Sequence, residues 1–163
     1  MSALRIWAMR MSYRLAYRML QLATILTGRR GNGVKCLLTH SGQILLVRHT
    51  YGRREVWYLP GGGIHRGEQP ITAGLREMNE ELGLRGLTMQ ELAHSQLRLD
   101  HMTVELTCLH AELEDPRLHP NPSEIADARW FRLDQLPSPL GSEVKRLTGL
   151  LDGGTLAGPS GAP

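Results

Sequence analysis

Three glutamates that lie close together in the sequence, Glu77, Glu80 and Glu81, are the side chains best suited to chemistry. Residues three and four positions apart share one face of a helix, so the three carboxylates would converge if this segment is helical. Like charges at this spacing repel by about 0.2–0.5 kcal/mol per pair, so helix stability gives no reason to collect them. Carboxylate oxygens in a tight cluster suit a hard divalent cation such as Mg2+ or Mn2+, and Mg2+ usually takes its remaining ligands from water and substrate phosphates.

The residues on either side of the glutamates predict a glycine-rich loop that leads into a helix. Pro60 and the glycines 61–63 interrupt the preceding apolar run, because glycine adopts backbone dihedrals that other residues reach only at a cost. After this loop, apolar residues recur at helical spacing: Ile71, Leu75, Met78 and Leu82. Gly83 stands where a helix usually ends. We therefore predict a helix over residues 69–82, with the glutamates on a face away from the apolar stripe.

The string of residues 62–84 resembles the Nudix box. That pattern is a glycine, five residues, a glutamate, seven residues, Arg-Glu, an apolar residue, any residue, Glu-Glu, any residue, a glycine and an apolar residue, and every fixed position is matched. So many fixed positions over 23 residues make the pattern far more specific than a single glycine fingerprint. Residues 57–63 and 128–131 also resemble the family, and the resemblance extends from residue 33 to about residue 136.

The resemblance implies roles for the residues of the box. Glu77 and Glu81 would ligate Mg2+ or Mn2+, Glu80 would ligate or assist, and the backbone carbonyl of Gly61 would add another ligand. Arg76 would orient a glutamate through a salt bridge. Divalent ions make a polyphosphate easier to hydrolyse, because they offset its negative charge and lower the pKa of a bound water.

The general base and the substrate contacts are less well defined. Glu124, in the loop ahead of the predicted last strand, lies where several branches of the family place an extra glutamate that binds metal or activates water, and a solvated loop acid explains it equally well. Glu68 is either an acid favoured by the dipole at the helix start or a member of the charge network, and we favour the first interpretation. Four residues before the box could contact phosphates or a base, although a hydrated basic loop explains each of them as well: Arg48, Tyr51, Arg53 and Arg54.

The activity that the resemblance implies is that of a Nudix pyrophosphohydrolase. Water would attack phosphorus in a nucleoside diphosphate linked to another moiety. Residues 96–101 contain neither the proline nor the tyrosine that mark the ADP-ribose and dinucleoside-polyphosphate subgroups. A nucleoside triphosphate or a nucleotide-sugar-like substrate is therefore expected, and no specific nucleic-acid binding is expected.

Two other functions are consistent with the same scaffold. An isopentenyl-diphosphate isomerase would need a catalytic cysteine, whereas Cys36 and Cys108 lie in apolar runs that predict small buried hydrophobes. A non-catalytic nucleotide sensor would tend to lose box carboxylates and gain a DNA-binding domain, and this sequence does neither. The cysteine usage predicts a reducing compartment, and we expect the cytoplasm.

The first part of the chain predicts a separate basic element. Apolar residues recur there at helical spacing: Leu4, Trp7, Ala8, Met11, Leu15, Met19, Leu22 and Leu26. Residues 1–54 carry ten cationic side chains and no acid, whereas the rest of the chain carries nine bases and 16 acids. We expect this amphipathic helix, residues 3–27, to pack on the domain or on a partner subunit to give a homodimer. A membrane-surface helix or an organelle presequence is the alternative.

The length of 163 residues suits one sizeable core. Strands are predicted at residues 34–39, 43–47, 57–59, 87–99, 102–113 and 128–132, with helical turns at 133–136 and 142–151. This order indicates an α/β fold with a mixed β-sheet sandwiched between helices, which the Nudix resemblance also implies. We divide the chain into a basic helix and linker (1–30), a Nudix hydrolase domain (31–152) and a disordered tail (153–163).

Overall fold

The computed structural model describes residues 4–5, 7–9, 11–12, 31–99 and 102–152. A mixed sheet with a helix on each face positions the glutamates. Its strands and helices, numbered in chain order, are β1 (Gly31–His40), β2 (Gln43–His49), α1 (Pro70–Leu82), β3 (Gln90–Leu99), β4 (Met102–Glu112), β5 (Ile125–Arg132) and α2 (Ser142–Asp152). A turn of 3-10 helix, Leu133–Gln135, follows β5.

The sheet has the strand order β3-β4-β1-β2-β5. β1 runs parallel to β4, with Lys35 opposite Cys108, and the other neighbouring pairs are antiparallel. β1 and β2 form a tight hairpin whose two turn residues, Ser41 and Gly42, both have positive φ. Because a parallel pair and antiparallel pairs share one sheet, the predicted α/β fold with a mixed sheet is confirmed.

Alternate residues of the central strands face the two helices. On one face, a buried cluster joins these strands to α1 through Val34, Cys36, Leu45, Val47, Met78 and Leu82. On the other face, a second cluster joins them to α2 through Leu37, Ile44, Leu46, Val144 and Leu147. Full burial of one such aliphatic side chain stabilises the fold by about 1.5–3 kcal/mol. The apolar stripe of α1 is thus fixed against the sheet.

Helix α1 ends where the sequence predicts. Gly83 has φ 68°, a left-handed conformation that glycine adopts without steric cost, and its N–H donates to the Asn79 carbonyl at 3.1 Å. The loop before β5 also closes the helix, because Asn121 N–H donates to the Glu81 carbonyl at 2.8 Å. The C-terminal end of α1, where the glutamates lie, is therefore held by its own glycine cap and by the loop before β5.

Residues 57–59 do not form the predicted strand. Tyr58 makes a single bridge to Val47, and Trp57 makes another to Leu140. Pro60 has no N–H to donate and three glycines follow it, so a regular ladder cannot continue. Similarly, residues 87–89 lie outside β3, which begins at Gln90.

The part of the N-terminal segment that the structure describes, residues 4–5, 7–9 and 11–12, is helical. The rest of the predicted helix, the turn at 100–101 and the tail 153–163 lie outside the described residues. Leu4, Trp7 and Met11 are 74%, 61% and 44% exposed, so they are not buried against the domain, and packing on a partner subunit stays a prediction. Met9 reaches the loop before β5, with Sδ 3.7 Å from Ser123 Oγ. None of the described helices is long and apolar enough to cross a bilayer.

Candidate active site

The loop that precedes α1 lies directly against the glutamates of the helix. Gly61 has φ 130°, and a Cβ at this position would collide with the carbonyl oxygen of Val34. At Gly62, a Cβ would collide with the carboxylate of Glu77. Glycine is therefore needed at position 61 for the backbone conformation and at position 62 for the close approach of Glu77.

Glu81 is the most buried of the glutamates, with 1% of its surface exposed. Its Oε2 accepts a hydrogen bond of 2.9 Å from Gly61 N–H. The pKa of Glu81 is raised to about 8, chiefly by burial and further by the charges of Glu77 and Glu124, although Lys35 and the Gly61 N–H act in the opposite direction. The charge of Lys35 thus offsets the burial of this carboxylate beside other acids only in part, and a divalent cation would supply further positive charge.

Arg76 links the loop to the glutamates. Its Nε and Nη2 donate to the two carboxylate oxygens of Glu68 at 2.9 and 3.0 Å, and its Nη1 donates to Glu77 at 2.8 Å and to Glu80 at 3.3 Å. Nη2 also donates to the Gly63 carbonyl at 2.8 Å. The hydrogen bonds from Arg76 lower the pKa of Glu68 to about 2. Glu68 thus belongs to the charge network, and the helix-start role that we favoured for it is wrong.

The carboxylate oxygens of Glu77, Glu80 and Glu81 suit a divalent cation by their chemistry, although Arg76 pairs with two of these glutamates. Glu77 and Glu81 are buried carboxylates beside Gly62 and Gly61, respectively, and such oxygen donors favour Mg2+ or Mn2+. Arg76 holds Glu77 and the half-exposed Glu80. Among the residues that the structure describes, no three His, Cys, Asp or Glu side chains are gathered closely enough to hold an ion as they stand.

The loop before β5 brings Glu124 to the same site. Thr50 N–H donates to the Glu124 carbonyl at 2.8 Å, and Asn121 Nδ2 donates to the Glu124 carboxylate at 3.0 Å. Thr50 follows β2 and Asn121 is bonded to the end of α1, so the loop is held on both sides. The charge of Glu124 acts on Glu81, whose pKa it raises. Glu124 is thus held in a loop that is anchored to β2 and to α1, and its role at the site stays a prediction.

Sequence reasoning misses two residues near Glu81. His49 is nine-tenths buried, and its Nδ1 lies 3.8 Å from Glu81 Oε1. Lys35 Nζ donates to the carbonyls of Leu59 at 3.0 Å and Gly61 at 3.4 Å. The sequence signal for Lys35 was a single cation within an apolar strand. The sequence signal for His49 was the alternation of β2, which places this histidine on the face of the sheet that α1 covers.

Arg48, one of the four predicted substrate contacts, lies away from the glutamates. Its Nη2 donates to Asp127 at 2.9 Å, and its guanidinium carbon lies 4.8 Å from the centre of the Trp57 ring. Trp57 belongs to the cluster on the α2 face of the sheet, whereas the glutamates lie on the α1 face. The contacts of Arg48 are therefore those of a residue that braces β2 against β5.

The other three predicted substrate contacts follow β2. Tyr51 stacks on His49, with ring centroids 5.0 Å apart, and this contact connects it to the glutamates. Arg53 is exposed and pairs with Glu55 at 3.3 Å, and Arg54 is also exposed. Of the four, Tyr51 is the one that the described contacts bring to the site.

Arg76→Lys should lower turnover by about 10–100-fold, because an ammonium cannot replace the planar fork that holds Glu68 and Glu77 together. The melting temperature should also fall, since the loop loses its link to α1. Both quantities would be compared with those of Arg66→Lys, a variant of an exposed arginine in the same loop, which should match the wild type. Unchanged turnover in Arg76→Lys would show that the glutamates do not depend on this link.

Comparisons with known sequences point to one family. The chain matches the family model described as the NUDIX domain over residues 29–150. It is 31% identical over 102 residues to the NAD-capped RNA hydrolase NudC of Stutzerimonas stutzeri, a match that covers 63% of this chain and 36% of the length of that relative. It is 26% identical over 135 residues to the isopentenyl-diphosphate Delta-isomerase of Rhodobacter capsulatus, a match that covers 74% of each protein.

A solved structure has the same fold. The crystal structure of a MutT NUDIX hydrolase from Burkholderia pseudomallei matches with a TM-score of 0.66 at 24% sequence identity. The match covers 74% of this chain and 97% of that chain. The arrangement of sheet and helices is thus shared over nearly the whole of the solved protein.

Proposed function

Because this chain belongs to the NUDIX family, we propose that it hydrolyses a pyrophosphate bond in a nucleoside diphosphate linked to another moiety, with Mg2+ or Mn2+ as cofactor. The proposal rests on the buried carboxylate of Glu81, which accepts a hydrogen bond from Gly61 N–H and whose raised pKa shows that Lys35 offsets its burial only in part. The neighbouring acids Glu77 and Glu124 add oxygen donors of the kind that hard divalent cations prefer.

Ligands for the cofactor would come from both the loop and α1. Glu77 and Glu81 bind it together with the Gly61 carbonyl, and Glu80 binds or assists. When bound, the divalent ion would offset the phosphate charges and lower the pKa of a water molecule. Arg76 positions Glu77 and anchors the loop through Glu68 and the Gly63 carbonyl.

Glu124 is the proposed general base. A base must be held within reach of the water whose proton it takes. The bonds from Thr50 and Asn121 hold Glu124 in a fixed loop beside Glu81, and its carboxylate is half-buried rather than free in solvent. It would accept the proton of the water that attacks phosphorus.

We propose a nucleoside triphosphate or a nucleotide-sugar-like diphosphate as the substrate. Tyr51 presents an aromatic ring that is stacked on His49 beside the glutamates, and nucleobases stack readily on such rings. The test is a panel of nucleoside triphosphates, nucleotide sugars and NAD, assayed with Mg2+ and with Mn2+ for release of phosphate, pyrophosphate and nucleoside monophosphate. Release of nucleoside monophosphate supports the proposal, and no release from any member with either ion contradicts it.

An isomerase function is not favoured, although one relative carries that name. Cys36 is fully buried and Cys108 is 2% exposed. Burial raises the pKa of both thiols, that of Cys108 to about 12, so neither is suited to reactive chemistry. A non-catalytic sensor is also not favoured, because all of the box carboxylates are present.

We further propose that the N-terminal segment contacts an anionic membrane surface. Leu4, Trp7 and Met11 recur at helical spacing and are exposed, so they form one apolar stripe towards solvent. Arg5 is exposed beside them, and the sequence adds further arginines at positions 10, 14 and 18 without any acid. Apolar residues flanked by arginines suit the interface of a bilayer that carries negative head groups.

Trp7→Glu should lower co-sedimentation with vesicles that contain anionic phospholipid by about tenfold or more, since it replaces a large exposed apolar side chain with a negative charge. Wild-type binding should weaken as salt is added. Ile71→Glu is the matched control, because Ile71 is also exposed but lies on α1. A lower solution mass of Trp7→Glu with unchanged vesicle binding would instead indicate a homodimer through this segment.

A further inference from the structure

His49 is a buried aromatic residue at the edge of the glutamate cluster. It is the last residue of β2 and continues the alternation of Leu45 and Val47, which pack against α1. Only 8% of its surface is exposed. Its ring stacks on Tyr51 with centroids 5.0 Å apart and lies 5.9 Å from the ring of Tyr58. The position of the imidazole is therefore fixed by burial and by packing against two aromatic rings.

The Nδ1 atom of His49 is buried and has no hydrogen-bond partner in the described part of the chain. Glu81 Oε1 is 3.8 Å away, which is too far for a hydrogen bond. Buried polar atoms are nearly always satisfied, so an orphaned nitrogen directed at a buried carboxylate calls for an explanation. Aromatic packing alone accounts for the ring of His49 but does not account for the orientation of Nδ1.

An ion between the two atoms would satisfy both. Divalent transition ions bind imidazole nitrogen and carboxylate oxygen at about 2.0–2.2 Å, so two ligand atoms 3.8 Å apart can share one ion. Glu81 already needs a compensating charge, and the same ion would supply it. The pair consists of one nitrogen donor and one oxygen donor, unlike the all-oxygen set of Glu77, Glu80 and Glu81.

We propose that His49 Nδ1 is a metal ligand together with Glu81, and that this nitrogen makes the site favour Mn2+ and later transition ions over Mg2+. The inference rests on the proposed metal-dependent function and adds a specificity-determining residue to it. Imidazole is a better ligand for transition ions than for Mg2+, which prefers carboxylate, carbonyl and water oxygens. His49 would thus set which ion occupies the site.

The test uses electron paramagnetic resonance of Mn2+ bound to the full chain. In the wild type, pulsed measurements should detect coupling of Mn2+ to a nitrogen-14 nucleus, and in His49→Gln this coupling should be lost. Mn2+ affinity should fall by about tenfold or more in His49→Gln, whereas Mg2+ affinity, measured by competition, should change by less than about threefold. His49→Phe keeps an aromatic ring under Tyr51 without a nitrogen and should behave like His49→Gln.

His94→Gln is the matched control, because His94 also faces a glutamate, with Nε2 3.2 Å from Glu91 Oε2, but is exposed on β3. It should keep the nitrogen coupling and the wild-type Mn2+ affinity. Melting in metal-free buffer checks that each variant is folded. Saturable Mn2+ binding without nitrogen coupling in the wild type would overturn the inference and leave the proposed function intact. Absence of saturable Mn2+ binding in the wild type would overturn the proposed function and the inference with it.

Discussion

Glu81→Gln should lower turnover by about 100-fold or more, equivalent to about 2.7 kcal/mol of activation free energy. The substitution removes the buried carboxylate that the cofactor would bind and leaves a neutral side chain of nearly the same shape. The measurement is turnover on the substrate found in the panel, together with Mg2+ and Mn2+ affinity. Retention of more than about a tenth of wild-type turnover with unchanged metal affinity would refute the assignment.

The same variant should keep the fold, and the pH dependence of stability provides the control. In metal-free protein the pKa of Glu81 is raised from 4.5 to about 8 on folding, so the folded state retains a proton that the unfolded state has released. This contribution to stability is present below about pH 4.5 and is lost as the pH rises towards 8. Glutamine does not titrate. The melting temperature of Glu81→Gln relative to the wild type should therefore rise over this interval, and a constant difference would contradict the buried environment of Glu81.

Removal of divalent ions should abolish turnover, and addition of Mg2+ or Mn2+ should restore it. The site gathers negative charge around Glu81, and an anionic substrate would add more, so catalysis needs the positive charge of the cofactor. The melting temperature should increase with the ion, because a ligand at 100 times its Kd that binds only the folded state stabilises it by about 2.7 kcal/mol.

The control for this experiment is chelator that has been saturated with Mg2+ beforehand. It should leave turnover unchanged, which separates loss of the ion from any direct effect of the chelator. Full turnover in excess free chelator would rule out the proposed mechanism. Loss of turnover that neither ion restores would show that this site does not use Mg2+ or Mn2+.

Elements whose cause is local could be predicted from the sequence. The spacing of glycines, arginine and glutamates in residues 62–84 indicated both the loop and the family, and the apolar stripe predicted a helix within one residue of α1. Gly83 marked the end of that helix, because the conformation required there is one that glycine adopts freely. Alternating and apolar runs located the strands of the sheet. These patterns are set by neighbours a few positions away, so they can be recognised without the fold.

The tertiary structure alone decided which distant residues meet at the glutamates. Gly61 and Glu81 are 20 positions apart, and Lys35 and Gly61 are 26 apart, yet each pair is hydrogen-bonded. The register of β2 against β5 pairs Arg48 with Asp127, whereas the next residue, His49, faces Glu81. A shift of one residue along a strand exchanges the two faces of the sheet. Strand register and helix packing, which depend on the whole core, therefore determined the members of the site.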